Sequence, residues 1–258
     1  MDKFYTNSSV VDLVVDMFER LVEASPDDVI IEPSAGNGAF LGRLASYPNL
    51  IATDILPERD GIVQCDFLEF APPETSGNIH VIGNPPFGKN GSLATKFFKK
   101  AAQFATTISF ILPRSFKKES MIMRLPLDFE LVDQLDIPKM SFLVDGKPYD
   151  VPCVFQVWKK SMTRRSYQPV EPIGYSFVKK TEEHHCAVRR VGGTAGTCLS
   201  DTEMCNVNCF YFIKFDSEVD IGRLQNMVLE ERNDTTGPRS ISKREITRKI
   251  NAILTGAC

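Results

Sequence analysis

The segment HVIGNPPF places Asn84, Pro85, Pro86 and Phe87 directly after a short apolar run. Two adjacent prolines supply backbone carbonyls but no N–H. The turn therefore presents acceptors with no competing donors, and the Asn84 side chain adds one more carbonyl. Acceptors fixed side by side suit the two hydrogens of a planar –NH2 group. Holding those hydrogens out of the ring plane localises the nitrogen lone pair and makes it a usable nucleophile. Phe87 offers a ring to stack on the base that carries the amine, a contact of roughly 1–3 kcal/mol per base. Asn84, Pro85, Pro86 and Phe87 are the candidate catalytic residues, and the chemistry they suggest is transfer to an exocyclic amine.

A second constellation lies upstream. In EPSAGNG, Glu32 precedes a turn in which Gly36 and Gly38 permit close backbone approach to a ligand. The dinucleotide fingerprint G-x-G-x-x-G is not met, because the next glycine is Gly42, one position late, and no Gly-Lys-Ser/Thr follows. Glu32 would repel a pyrophosphate and suits a ligand with positive charge. Asp54, at the end of the next apolar run, is placed to accept the two hydroxyls of a ribose. Asp66 could accept from an adenine amine, with Phe67 against the ring. Amine, ribose and adenine together describe S-adenosylmethionine, the expected cofactor.

These residues need a scaffold that brings them to one rim. Apolar spacing in residues 8–24 predicts a helix capped by Ser8 or Ser9. Short strands are expected at Val29–Ile31, 51–55, from His80 up to the prolines of HVIGNPPF, and 107–113, with helices at 38–46 and 92–105, and later strands at 130–138 and 150–160. Alternation of this kind predicts an α/β fold, a Rossmann-like sheet flanked by helices, with ligands at the carboxyl ends of its strands. Glu32, Gly36, Asp54, Asp66 and Asn84 all fall at such ends. The texture changes after Lys160. The expected organisation is a catalytic domain over 1–160 and a small α+β accessory or target-recognition region over 161–258. In the latter, strands are expected at GYSFVKK, CAVRRVGG and NCFYFIKF. Helices are expected at IGRLQNMVLEERN and at SKREITRKINAIL, the second opened by a Ser242/Glu245 capping box.

The ordered motifs FYT, EPSAGNGAF, Asp54, CDF and NPPF, covering roughly residues 3–158, resemble those of the amino-methyltransferases that act on nucleic-acid bases, in the order of the gamma-type N6-adenine methylases. The resemblance implies cofactor contacts from Tyr5, Thr6, Glu32, Pro33, Ala35, Gly36, Gly38, Asp54, Ile55, Asp66, Phe67 and Asn84. It implies that the target base is flipped into the NPPF pocket, with a second aromatic, Phe142 or Tyr149, from a later hairpin. One departure is visible: Asn7 stands where the family usually has proline. The activity so implied is methyl transfer from S-adenosylmethionine to N6 of adenine in DNA or RNA. Two other readings share the motifs: methylation of a protein glutamine amide, and a catalytically silent nucleic-acid-binding subunit.

Composition bounds the partners. The net charge is −3, which argues against a surface coated for non-specific nucleic-acid binding. Locally, Lys89, Lys96, Lys99, Lys100, Arg114, Lys117 and Lys118 fall between residues 85 and 118 with no acid among them. Lys89 and Arg114 are therefore candidate contacts to the phosphates that flank a flipped base. Lys179–Lys180, Arg189–Arg190, Lys243, Arg244, Arg248 and Lys249 offer further phosphate contacts. Seven cysteines, an odd number without a disulfide framework, read as reduced thiols, and the Cys/His spacings from His184 to Cys209 fit no zinc pattern, so no metal is expected. With no membrane-length apolar run and no signal-peptide core at the N-terminus, the expected setting is cytoplasmic, nuclear or intracellular viral or phage. A protein partner or a homodimer remains open.

Overall fold

A computed structural model describes residues 4–225, 227 and 229–256. The chain divides into two compact units, Met1–Ser166 and Tyr167–Cys258.

The first unit is built on a seven-stranded sheet. Its strands are β2 (Val29–Glu32), β3 (Leu50–Asp54), β4 (Ile62–Gln64), β5 (Ile79–Gly83), β6 (Thr107–Pro113), β7 (Phe129–Asp136) and β10 (Cys153–Lys160). They lie in the order β4-β3-β2-β5-β6-β10-β7. The neighbours from β4 to β6 pair in parallel, and only β10, paired antiparallel to both β6 and β7, runs against the rest. This is the expected Rossmann-like α/β sheet. The chain steps outward from β2 to β3 and β4, then returns to the other side of β2 with β5 and β6. The crevice at such a reversal is where open α/β sheets bind ligands. Glu32 ends β2 and Asn84 follows β5, one on each side of it.

Two helical layers explain why the central strands are apolar throughout. Val29, Ile31, Val81, Ile108 and Phe110 face one side, under Ala94, Phe97, Phe98 and Ala101 of α3 (Ser92–Ala101). Ile30, Ile82, Ile111, Phe155 and Val157 face the other, under Val10, Val14, Met17 and Phe18 of α1 (Ser8–Val22). The cap of α1 is Asn7 rather than Ser8 or Ser9. Its side-chain oxygen accepts from the Ser9 N–H at 3.2 Å, which gives the residue found in place of proline a clear local role. The helix expected at 38–46 shrinks to α2 (Leu41–Leu44), because the glycine turn continues through Gly38.

A smaller sheet forms beside the strand ends. β1 (Tyr5–Thr6) pairs with β8 (Phe142–Val144), which turns back into β9 (Lys147–Tyr149). The turn residues Asp145 and Gly146 have φ of 50° and 73°, the left-handed pair a two-residue hairpin demands. At the opposite, amino ends of the strands, buried His80 bonds Thr107 Oγ1 at 2.8 Å and Asp28 Oδ2 at 3.2 Å. Burial pushes the Asp28 carboxyl up, but the N–H groups of Ser25 and Asn78 together with His80 outweigh it and hold it at about 2. Near Met121, α4 (Glu119–Ile122) leads into a loop closed by Arg165.

The second unit carries an antiparallel four-stranded sheet in the order β11-β14-β12-β13. Its strands are β11 (Tyr175–Val178), β12 (Cys186–Arg189), β13 (Cys198–Leu199) and β14 (Phe210–Phe215). Helix α6 (Lys243–Thr255) packs Ile246 and Ile250 into its core, opened by the expected Ser242/Glu245 capping box. The helix expected over IGRLQNMVLEERN is instead α5 (Gly222–Gln225) and a 3-10 turn at Glu230–Asn233, with residues 226 and 228 outside the described set. Among the described residues no helix is long and apolar enough to cross a membrane, and no cluster of side chains could hold a metal ion.

Arg165 supports the end of the first unit. It donates to the carbonyls of Phe129 (2.6 Å), Pro126 (3.1 Å), Ile122 (3.3 Å) and Leu125 (3.4 Å), and its guanidinium lies 5.1 Å from the Trp158 ring centroid. Charge-assisted bonds and ring stacking together predict that Arg165→Ala loses about 2–4 kcal/mol. Urea unfolding followed by the fluorescence of Trp158, the single tryptophan, measures this. Arg165→Lys should recover less than half, since an ammonium cannot serve so many carbonyls from one plane.

Candidate active site

The glycine turn is assembled by backbone donors. Gly36 and Gly38 have φ of 54° and 79°, a region that favours glycine. The Gly36 N–H donates to Asp54 Oδ2 and the Leu56 N–H to Asp54 Oδ1, both at 2.8 Å. Asp54 thus holds the turn against the end of β3, and each oxygen retains lone pairs for a further donor. Ala35 donates to the Thr53 carbonyl, and both Pro33 and Ala35 are buried in the turn. Ile55 projects into solvent beside it, 62% exposed.

The N-terminal FYT segment closes over this turn. A Cβ on Gly36 would lie 3.3 Å from the Tyr5 ring, so glycine is what lets the ring approach. The Tyr5 hydroxyl donates to the Glu58 carboxylate at 2.6 Å. Thr6 is buried, and its Oγ1 accepts from Asn84 Nδ2 at 3.2 Å; the same amide group reaches the Phe4 carbonyl at 3.4 Å. Motifs nearly eighty residues apart therefore meet through Asn84, whose backbone carbonyl also accepts from Ser34 Oγ at 3.0 Å. Ser34 and Glu58 are positioning residues that no sequence pattern signalled. Arg59, which packs over Gly38 and donates to its carbonyl, is a third.

Two acceptors in this constellation are left over. Asn84 Oδ1 and Glu32 Oε2 are shut off from solvent and have no hydrogen-bond partner among the described residues. A buried polar atom left unpaired costs roughly 1–3 kcal/mol. Both sit at the reversal between β2 and β5, and both ask for a ligand that brings N–H or O–H donors. Burial, reinforced by the nearby Asp54 charge, pushes the Glu32 carboxyl up to about 8. A cationic ligand would offset both causes.

Pro85 is buried and Pro86 half-buried. Phe87 is half-buried against both apolar layers, and its carbonyl accepts from the N–H groups of Leu93 and Ala94 at the start of α3. Three expectations need correction. Phe67 is 1% exposed and packs against Phe70, Phe97 and Phe104, so its ring belongs to the core and offers no face to an adenine. Its neighbour Asp66 stays exposed and caps the short turn by accepting from the Leu68 N–H at 2.9 Å. Phe142 is likewise buried, because its partner in register is the inward-facing Thr6; Tyr149 remains half exposed, with its ring 5.5 Å from that of Phe4. Arg114 stands in an acid-free run along the chain, but in space β7 brings Asp136 to it at 2.8 Å and to Lys117 at 3.1 Å, so its guanidinium is already paired. Lys89, Lys96 and Lys99 are exposed.

No family model matches the sequence, and no curated protein matches it. Solved structures similar to the chain include a type I restriction-modification system methyltransferase subunit from Streptococcus thermophilus, at 13% identity and TM-score 0.46, covering 63% of this chain and 46% of that one. The 23S rRNA methyltransferase ErmE matches at 15% identity and TM-score 0.40, covering 63% of this chain and 71% of its own. The 1,6-didemethyltoxoflavin-N1-methyltransferase of Burkholderia thailandensis, with bound S-adenosylhomocysteine, matches at 11% and TM-score 0.43, covering 60% and 80%. At these scores the chemistry rests on the residues themselves.

The raised Glu32 carboxyl has a measurable signature. Unfolded glutamate titrates near 4.5, so between that value and about 8 the folded chain holds a proton that the unfolded chain has released. Stability therefore falls as pH rises through this window, by up to about 1.4 kcal/mol per pH unit from this one group. Glu32→Gln removes the dependence. The stability of the variant relative to wild type should climb from pH 5 to pH 8 in denaturant titrations, and a flat difference would contradict the assigned burial.

Proposed function

We propose that the chain is an S-adenosylmethionine-dependent methyltransferase acting on the N6 amine of adenine in DNA or RNA, with the catalytic machinery in residues 1–160 and target recognition in 161–258. The observation that carries the reading is the unpartnered, buried Oδ1 of Asn84, set at the sheet's reversal point with its own Nδ2 already tied to Thr6.

The cofactor's fit is supported by residues already described. Glu32 Oε2 lacks a donor, which the ammonium of a methionine moiety supplies, and Asp54 keeps lone pairs for ribose hydroxyls. Ile55 offers an exposed apolar side chain for an adenine face. S-adenosylmethionine supplies an electrophilic methyl group on a sulfonium. Asn84 Oδ1 accepts one hydrogen of the target amine, and the Pro85 carbonyl accepts the other, with no N–H from Pro85 or Pro86 to compete. This grip localises the nitrogen lone pair and positions it, at the ~3–3.5 Å separation of reacting atoms, for attack on the methyl carbon. With the cofactor bound, forming the N–C bond would break the methyl–sulfur bond and release a neutral thioether, and the amine, cationic at that point, would lose its proton to water without a strong base. Phe87 and Tyr149 are the rings available to the base. The phenylalanine of NPPF and the exposed lysines from Lys89 to Lys99 favour a nucleic-acid amine over a glutamine amide.

Labelled cofactor incubated with duplex DNA, single-stranded DNA and RNA, followed by nucleoside mass spectrometry, tests the reading; label in N6-methyladenine is the expected product. Asn84→Ala should lower transfer by about 10²–10³-fold, the scale of losing one preorganised hydrogen-bonding group, while cofactor affinity stays near wild type. Wild-type turnover in that variant would overturn the role given to Asn84.

A further inference from the structure

We propose that the second unit holds a cleft of its own that binds a single-stranded nucleic-acid segment through its phosphates, with an apolar floor for a base. The assignment of the strand to nucleic acid rests on the function proposed above; the cleft's chemistry does not.

The cleft measures about 390 Å3 and opens at the ends of β11 and β14. Lys179, Lys180 and Lys243 line it, and no carboxylate does among the described residues. The apolar side is Phe177, Val178, Val207 and Tyr211. Two carboxylates belonging to these segments are already engaged. Glu182 accepts from the backbone N–H of Lys179 at 2.6 Å, and Glu245 closes the capping box of α6 at 2.7 Å. The Lys180 ammonium is engaged as well, on the carbonyls of Glu203 and Cys205. Lys179 and Lys243 are exposed.

Aromatic rings hold two cations in place. The Lys243 ammonium lies 5.0 Å from the Phe177 centroid and 5.7 Å from that of Tyr211, and the Arg190 guanidinium lies 4.9 Å from Tyr211. Positive groups thus lie beside three neighbouring strands: Lys179 follows β11, Lys243 of α6 lies over Tyr211 of β14, and Arg190 follows β12. A cation fixed over a ring has less freedom to lose when an anion arrives. A row of fixed cations beside an apolar floor is what a chain of regularly spaced phosphates and flat bases requires, and it is the composition by which single strands are held without regard to sequence. A compact headgroup or a lone phosphate would use one cation and leave the rest of the row idle.

The test uses the full chain, without cofactor, and fluorescence anisotropy with labelled single-stranded 12-nucleotide RNA and DNA. No methyl transfer is needed, so failure of the cleft and failure of the proposed reaction give different results. The Lys179→Ala/Lys243→Ala double variant is expected to bind at least 10-fold more weakly. Its slope of log affinity against log salt should shrink by about 1.4, two phosphates at about 0.7 each. Lys179→Arg/Lys243→Arg should bind like wild type, which separates lost charge from a damaged fold. Wild-type affinity and slope in the alanine variant would overturn the proposal. So would an alanine effect confined to inorganic phosphate or to anionic phospholipid vesicles with oligonucleotide binding unchanged.

Discussion

The reversal of strand order between β2 and β5 is the constraint on which the candidate site depends. A parallel sheet that grows first to one side and then to the other must leave a gap between the loops leaving its two central strands. Those loops are EPSAGNG and NPPF. They carry two of the buried oxygens that find no partner among the described residues, Glu32 Oε2 and Asn84 Oδ1. The amino ends of the same strands contrast with this. There the buried polar side chains Asp28, His80 and Thr107 satisfy one another. Polar burial is resolved at one end of the sheet and left open at the other, as a stable scaffold with a binding rim requires.

Much of the scaffold was legible because its signals are local. Strands buried on both faces read as short apolar runs, α1 and α3 show one apolar stripe each, and the Ser242/Glu245 box is a spacing rule that the structure meets. The cap of α1 falls one or two residues before the expected Ser8 or Ser9 because Asn7, Ser8 and Ser9 are all competent caps. The glycine turn ran further than expected because Gly38 keeps its left-handed backbone past the point where helix propensity would begin.

The site was less legible wherever a side chain's direction decides its role. Phe67 and Phe142 have suitable types at suitable places, yet the alternation of a strand and the inward lean of a short turn send both rings into the core. Arg114 stands in a run without acids along the chain, but an adjacent strand supplies Asp136 in space. Ser34 and Glu58 reach the site by bonding to residues fifty or more positions away, and no spacing rule reaches that far. The meeting of Thr6 with Asn84 was implied only by the motif order and becomes a physical statement through the bond at 3.2 Å.

The pairing of β1 with β8 carries a consequence for the order of assembly. Tyr5 and Thr6 are synthesised well before their strand partners, Leu143 and Phe142. Until translation passes the hairpin, the N-terminal segment has nothing to pair with, and the lid over the glycine turn cannot be fastened. Contacts of such long sequence separation form late and slowly. The nascent sheet can therefore mature while its ligand crevice is still uncovered, and the crevice gains its roof as one of the closing events in the folding of the first unit.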